Sequence, residues 1–189
     1  MSLQILAGAF KGRKLLSPKT GRTRPTLAIM RKALFDVVQD RIEGATILDL
    51  FAGSGGIGFE ALSRGASHVT FVEIDRDALR CLHENMALLK VEKQCTILGY
   101  DVFLALRKLV ATGKVFDLIY ADPPYAHTRV LKELLHFCDT HPLLEPKGTF
   151  FIEEGAPSHL EMQGLNSFQL VNTRKFSDSL LHQFRKLPS

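Results

Sequence analysis

Tryptophan is absent from this chain of 189 residues, and cysteine and tyrosine each occur three times. Cys81, Cys95 and Cys138 are odd in number and none is paired at metal-ligand spacing. That argues against a disulfide framework and leaves reduced, mostly buried thiols. The seven His residues form no ligand-spaced cluster either, so no metal site is expected. No apolar run approaches the roughly 20 residues that cross a bilayer. Met1-Ser2-Leu3-Gln4 lacks the charged and apolar regions of a secretion signal. The expected location is the cytoplasm, with no membrane partner. Internal repeats and low-complexity stretches are missing too. What remains, 46% hydrophobic and 23% charged, suits one soluble domain with a small extension, expected to act as a monomer.

The net charge of +4 is unevenly spread. Residues 1–41 carry nine Lys/Arg against Asp36 and Asp40, or +7, which leaves −3 for residues 42–189. A basic extension on a mildly acidic body points to a polyanionic partner held at one end. Within it, Gln4–Ala7 and Lys14–Leu16 read as two short strands joined by an exposed turn, residues 17–25 as a basic loop, and residues 26–38 as a helix with Thr26 as N-cap.

From Thr46 onward, short apolar runs alternate with helical patterns. Strands are expected at residues 46–50, 68–73, 95–98, 116–121 and 149–153, and helices at 56–64, 75–89, 102–110 and 129–138. Such alternation builds a mostly parallel sheet with helices on both faces. Residues 168–174 and 180–185 are strands too close together for a helical crossover, so they form an antiparallel hairpin. The expected fold is α/β and Rossmann-like: a seven-stranded, mostly parallel sheet with a C-terminal antiparallel hairpin and a small N-terminal β-hairpin extension.

In such a sheet, ligands sit beyond the carboxyl ends of the strands. Asp49-Leu50-Phe51-Ala52-Gly53-Ser54-Gly55-Gly56-Ile57-Gly58 joins the first strand of the body to its helix, and the glycines allow a tight turn and close approach to a ligand. Glu73 ends the next strand, where a carboxylate can accept from both hydroxyls of a ribose. The spacing Gly53-x-Gly55-x-x-Gly58 also fits a dinucleotide. Asp49 at the turn favours instead a ligand with a cationic group, such as S-adenosylmethionine. Asp101 would then accept from the adenine amine, with Phe51 or Val102 packing near the adenosine.

Asp122-Pro123-Pro124-Tyr125 follows the apolar strand Phe116–Ala121. It sets a carboxylate, a rigid carbonyl and an aromatic ring together at a strand's carboxyl end. An exocyclic amine on a nucleobase is a poor nucleophile, because its lone pair is delocalised into the ring. The Asp122 carboxylate and the Pro123 carbonyl can each accept one of its N–H groups and favour pyramidalisation. The ring of Tyr125 offers a stacking face worth about 1–3 kcal/mol in single-stranded recognition. The base has to be unpaired or flipped out to enter.

These residues resemble the class I S-adenosylmethionine-dependent methyltransferases that act on nucleobase amines. Gln4–Gly8 with Lys11-Gly12-Arg13-Lys14-Leu15, then Arg24-Pro25-Thr26, Arg31 and Leu34-Phe35, is similar to the N-terminal signature of the RsmD family. That family methylates N2 of a guanine in 16S ribosomal RNA of the bacterial small subunit. The resemblance implies S-adenosylmethionine as cofactor and ribosomal RNA, within a small-subunit particle, as partner. It also implies a substrate-facing role for Arg13, Lys14, Arg24, Thr26 and Arg31, with Arg24-Pro25-Thr26 near the RNA entrance and the methionine end of the cofactor. The chain departs from the family pattern at Lys32, where a Glu usually follows the Arg, and at Phe176-Ser177, where a Tyr-Gly pair is usual. Adenine-N6 methylation of DNA, a catalytically silent rRNA-binding assembly factor and a nicotinamide dehydrogenase are the alternatives. Length argues against the DNA enzyme, which needs a recognition module.

Overall fold

The computed structural model describes residues 3–18, 25–123, 128–158, 160 and 164–188. Its elements run β1 (Leu3–Gln4), β2 (Lys14–Leu15), α1 (Pro25–Val38), β3 (Thr46–Leu50), α2 (Gly56–Ser63), β4 (His68–Val72), α3 (Arg76–Leu89), β5 (Cys95–Leu98), α4 (Val102–Ala111), β6 (Phe116–Ala121), α5 (Thr128–Thr140), β7 (Leu144–Gly155), β8 (Phe168–Phe176) and β9 (Ser179–Lys186). β1 and β2 form a small antiparallel pair, and the other seven strands one sheet in the order β5-β4-β3-β6-β7-β9-β8. β5 through β7 are parallel and β9 and β8 antiparallel, as the alternation and the short terminal gap imply. The strand order reverses between β3 and β6, and there a crevice opens beyond the strand ends.

Alternate strand residues feed two cores. Ile47, Phe71, Leu118 and Phe151 pack with α1, α2 and α3, while Leu48, Val72, Ile119 and Ile152 pack with α4 and α5. Cys81 and Cys138 are buried and Cys95 half-buried, and burial pushes the thiols of Cys95 and Cys138 up to about 12. Among the described residues, no helix is long and apolar enough to cross a membrane, and no cluster of His, Cys, Asp and Glu could hold a metal ion.

Three local expectations are corrected. α1 starts at Pro25, so Thr26 lies inside the first turn and is not the N-cap. Proline fits that first turn because its missing N–H would have no helical partner there. β7 begins at Leu144, well before Thr149. Its pairing with β6 shifts between Phe116 and Leu118, and the break hides its first part in the sequence pattern. β1 is shorter than expected: Ile5 N still donates to the Arg13 carbonyl at 3.0 Å, but the amides of Leu6 and Ala7 turn to a side chain, donating to Glu60 of α2 at 2.7 and 3.0 Å.

Glu60 is fully buried and is the anchor of the N-terminal segment. Besides the two amides it accepts from Arg64 Nε at 2.8 Å and lies 3.7 Å from Arg31 Nε. One turn on, Ser63 accepts from Phe10 N at 2.9 Å and donates to the Ala7 carbonyl at 2.5 Å. Gly8 touches the helix so closely that an added Cβ would fall 1.7 Å from the Ser63 carbonyl oxygen. Glu60→Ala leaves two amides and two cations without their shared acceptor. It is expected to destabilise the fold by about 3–5 kcal/mol in urea unfolding; a loss within about 0.5 kcal/mol, the range of an ordinary surface substitution, would contradict this role.

Candidate active site

The residues at the carboxyl ends of the central strands follow from register. Phe71, Asp49, Tyr120 and Phe151 lie abreast on β4, β3, β6 and β7. Two residues on, the same strands reach Glu73, Phe51, Asp122 and Glu153. Here a cavity of about 340 Å³ opens, walled by Asp49, Phe51, Gly53, Tyr120, Asp122 and Glu153 on the sheet side. The N-terminal segment closes it with Leu3, Ser17, Pro18, Met30, Arg31 and Leu34.

The turn after β3 is built for close approach. Phe51 adopts φ 59°, a left-handed conformation that costs a non-glycine residue about 1–3 kcal/mol. Gly53 has φ 55° and open space where a Cβ would stand, so a side chain there would intrude on the cavity. Gly55 is glycine for a different reason: it caps α2 at φ 84°, and a Cβ would lie 2.4 Å from the Phe59 ring. Glu73 braces the turn, accepting from Gly53 N at 2.7 Å, Ile74 N at 2.8 Å and Asp75 N at 2.9 Å.

Acid is concentrated in this cavity. Arg31 is the sole cation among its described lining residues, and desolvation lowers even that guanidinium's pKa. Asp49 is 1% exposed and accepts from Gly58 N at 3.0 Å. Burial, with help from Glu73, pushes its carboxyl up to about 8 against the hydrogen bond's opposing pull. Burial first, and then Glu153 and Asp49, push Asp122 well above the usual carboxylate range. Tyr120 donates to Glu153 Oε2 at 2.8 Å, and burial raises its phenol well above its ordinary value. A cation entering the cavity relieves this crowding by favouring the ionised carboxylates.

Some expected residues stand elsewhere. Asp101 caps α4, accepting from Phe103 N at 3.0 Å and Leu104 N at 3.3 Å, and Val102 is buried in the α4–α5 core. Neither lines the cavity. Arg31 lines it but is 5% exposed, donating to the Gln4 carbonyl at 2.6 Å beside Glu60. Arg13 and Lys14 are exposed on the hairpin, with Arg13 donating to the Leu88 carbonyl at 2.9 Å. Pro123 is buried beside Asp122. Arg24, Tyr125 and the side chain of Thr26 lie outside the described residues. The basic extension is also not one patch: Lys32 pairs with Asp36 at 2.7 Å, and Arg41 donates to the Lys147 carbonyl at 3.1 Å.

Several residues escaped the sequence reading. Tyr120 and Glu153 had a signal, polar groups in apolar strands. Asn85 had another: it shares the buried stripe of α3 with Ala78, Leu82 and Leu89. Ser17 had none; its hydroxyl is buried at the cavity and has no hydrogen-bond partner among the described residues.

The family described as Conserved hypothetical protein 95 matches residues 3–185. YlbH of Bacillus subtilis, provisionally named an rRNA methyltransferase, is 35% identical over 174 residues and 92% of each chain. Ribosomal RNA small subunit methyltransferase D of Haemophilus influenzae is 32% identical over 151 residues, 80% of this chain and 78% of that one. The solved structure of yhhF from Escherichia coli, provisionally named a methyltransferase, superposes with a TM-score of 0.85 over 100% of both chains at 23% identity, a likeness of fold.

The raised Asp49 carboxyl has a consequence for stability. Between its ordinary 3.8 and about 8, the folded state holds a proton that the unfolded state releases. Unfolding free energy therefore falls as pH rises through that window. In urea unfolding from about pH 5 to about pH 8, Asp49→Asn is expected to flatten this fall and to be the more stable protein at the upper end; equal slopes for the two proteins would contradict the assignment.

Proposed function

This chain belongs to the family described as Conserved hypothetical protein 95, and on that footing we propose that it methylates the exocyclic N2 amine of a guanine in small-subunit ribosomal RNA, with S-adenosylmethionine as donor. The observation that carries the reading is the acid-lined cavity at the switch point of the sheet, with Asp122 on its wall and the buried Pro123 next to it in the chain. Its relatives named for ribosomal RNA methylation support the substrate class.

The residues present fit the donor. The open space at Gly53 admits a ligand against the backbone, and the Glu73 carboxylate beside it suits ribose hydroxyls. Asp49 and its acidic neighbours suit a ligand bearing a sulfonium and an ammonium group. Bound there, S-adenosylmethionine supplies a methyl group already activated by its positive sulfur. The protein's work is then positioning. Asp122 and the Pro123 carbonyl accept the two N–H groups of the amine, hold it in line and return its lone pair to nitrogen; as the methyl passes from sulfur to nitrogen, the surplus N–H proton leaves through the Asp122 carboxylate or to water. The apolar wall of Leu3, Met30 and Leu34 keeps water from the reaction. The extension, residues 1–41, serves as the RNA-facing part, with Lys11, Arg13 and Lys14 toward phosphates and an assembling ribosomal particle as the substrate.

Two outcomes test this. Labelled methyl from S-adenosylmethionine is expected in N2-methylguanine when undermethylated small subunits, naked rRNA and DNA are offered together, and Asp122→Ala is expected to lose at least about 100-fold in rate with RNA binding kept. Label in DNA adenine alone would overturn the reading, and RNA binding without any turnover would make the protein a silent assembly factor. Separately, Lys14→Ala is expected to weaken RNA binding and to reduce the slope of log affinity against log salt by about 0.7–0.9, the share of one phosphate contact. An unchanged slope would remove Lys14 from the interface.

A further inference from the structure

Asn85 is fully buried, yet it touches both walls of the cavity from behind. Its Oδ1 accepts from Leu16 N at 2.7 Å, and its Nδ2 donates to the Leu16 carbonyl at 2.9 Å. The same Nδ2 donates to the Ser54 carbonyl at 3.0 Å. Leu16 leads directly into Ser17 and Pro18, which line the cavity on the hairpin side, and Ser54 lines it within the glycine-rich turn. One side chain therefore fixes the strap that leaves the basic hairpin and the turn that approaches the donor. Leu16 itself is 47% exposed, so its side chain contributes little to holding the strap in place. The hydrogen bonds to Asn85 supply that hold.

We propose that Asn85 couples donor binding to RNA binding. The inference rests on the reading of the preceding subsection and concerns the two ligands' mutual effect. A donor seated against Gly53 and Ser54 holds the turn still, and a still turn holds the Asn85 amide. The amide in turn fixes Leu16 and with it the path of Ser17-Pro18. RNA arriving at the hairpin then meets a strap already ordered and does not bear the conformational cost of ordering it. By linkage the effect is reciprocal, so bound RNA tightens the donor by the same factor. Asn85 is a positioning residue in this scheme, since it reaches the ligands only through the backbone of residues 16 and 54.

The test is a binding cycle with S-adenosylhomocysteine as the unreactive donor analogue and undermethylated small-subunit RNA. In the unaltered protein, saturating S-adenosylhomocysteine is expected to tighten RNA binding about tenfold, within the usual range of coupling between sites. In Asn85→Ala the two ligands still bind singly, but the tightening falls below about twofold. Asn85→Asp keeps the shape and the bond from Leu16 N while losing both donations, and serves as the second variant should the alanine protein not fold. A merely structural role would lower the melting temperature and leave the coupling factor intact. That result, or the absence of coupling in the unaltered protein, overturns the inference while leaving the methyl-transfer reading untouched. Failure of the unaltered protein to bind or methylate small-subunit RNA overturns that reading, and this inference with it.

Discussion

The carboxylates of Asp49, Asp122 and Glu153 are brought into one cavity by the register of three neighbouring parallel strands. Burial first, and then repulsion from Glu73 at Asp49 and from Glu153 and Asp49 at Asp122, makes this arrangement unfavourable without a cationic ligand, as the raised carboxyls of Asp49 and Asp122 record. Such a cavity persists because the surrounding fold holds it, and the fold does so at identifiable points. Gly58 N gives Asp49 a hydrogen bond, Tyr120 gives one to Glu153, and the sheet ladder fixes all three strand ends. Strain at a site held by stable surroundings is the pattern expected where function resides.

The N-terminal segment completes the cavity, and its attachment is polar. A buried carboxylate on α2 takes two of its amides, a serine one turn later takes another, and an asparagine on α3 takes a fourth. Short strands such as β1 and β2 have too few ladder bonds to hold themselves. Their geometry is imposed by side chains of the body, which is why residues of the extension can form a wall opposite the ends of β3, β6 and β7.

Most of the fold was legible from periodicity: the strand and helix alternation, the antiparallel end and the glycine-rich turn all leave local signals. The departures have local physical causes. A register shift within β7 hid its start, and the amides of Leu6 and Ala7 bonded to Glu60 instead of extending β1. At the site, Asp49, Phe51, Gly53, Arg31 and Asp122 were legible and do meet around one cavity. Glu60 and Ser17 were not, because the amides that Glu60 anchors lie 53 and 54 residues away and Ser17 is set by an enclosure that no local spacing reports; Asn85 showed as a polar residue on an apolar stripe, but not its partners Leu16 and Ser54. Arg31 carried a substrate-facing expectation, and it reaches the cavity from a buried position against Gln4 and Glu60.

An acid-crowded cavity of this kind takes a cation in exchange for the protons on its buried carboxyls. Calorimetric titration of S-adenosylmethionine at about pH 7, in buffers of differing ionisation enthalpy, measures that directly. Ionised Asp49 is the form a cation selects, and at that pH its carboxyl, raised to about 8, is mostly protonated. Net proton release is expected on binding, reduced in Asp49→Asn. Binding with no proton exchange, or with proton uptake, would contradict it.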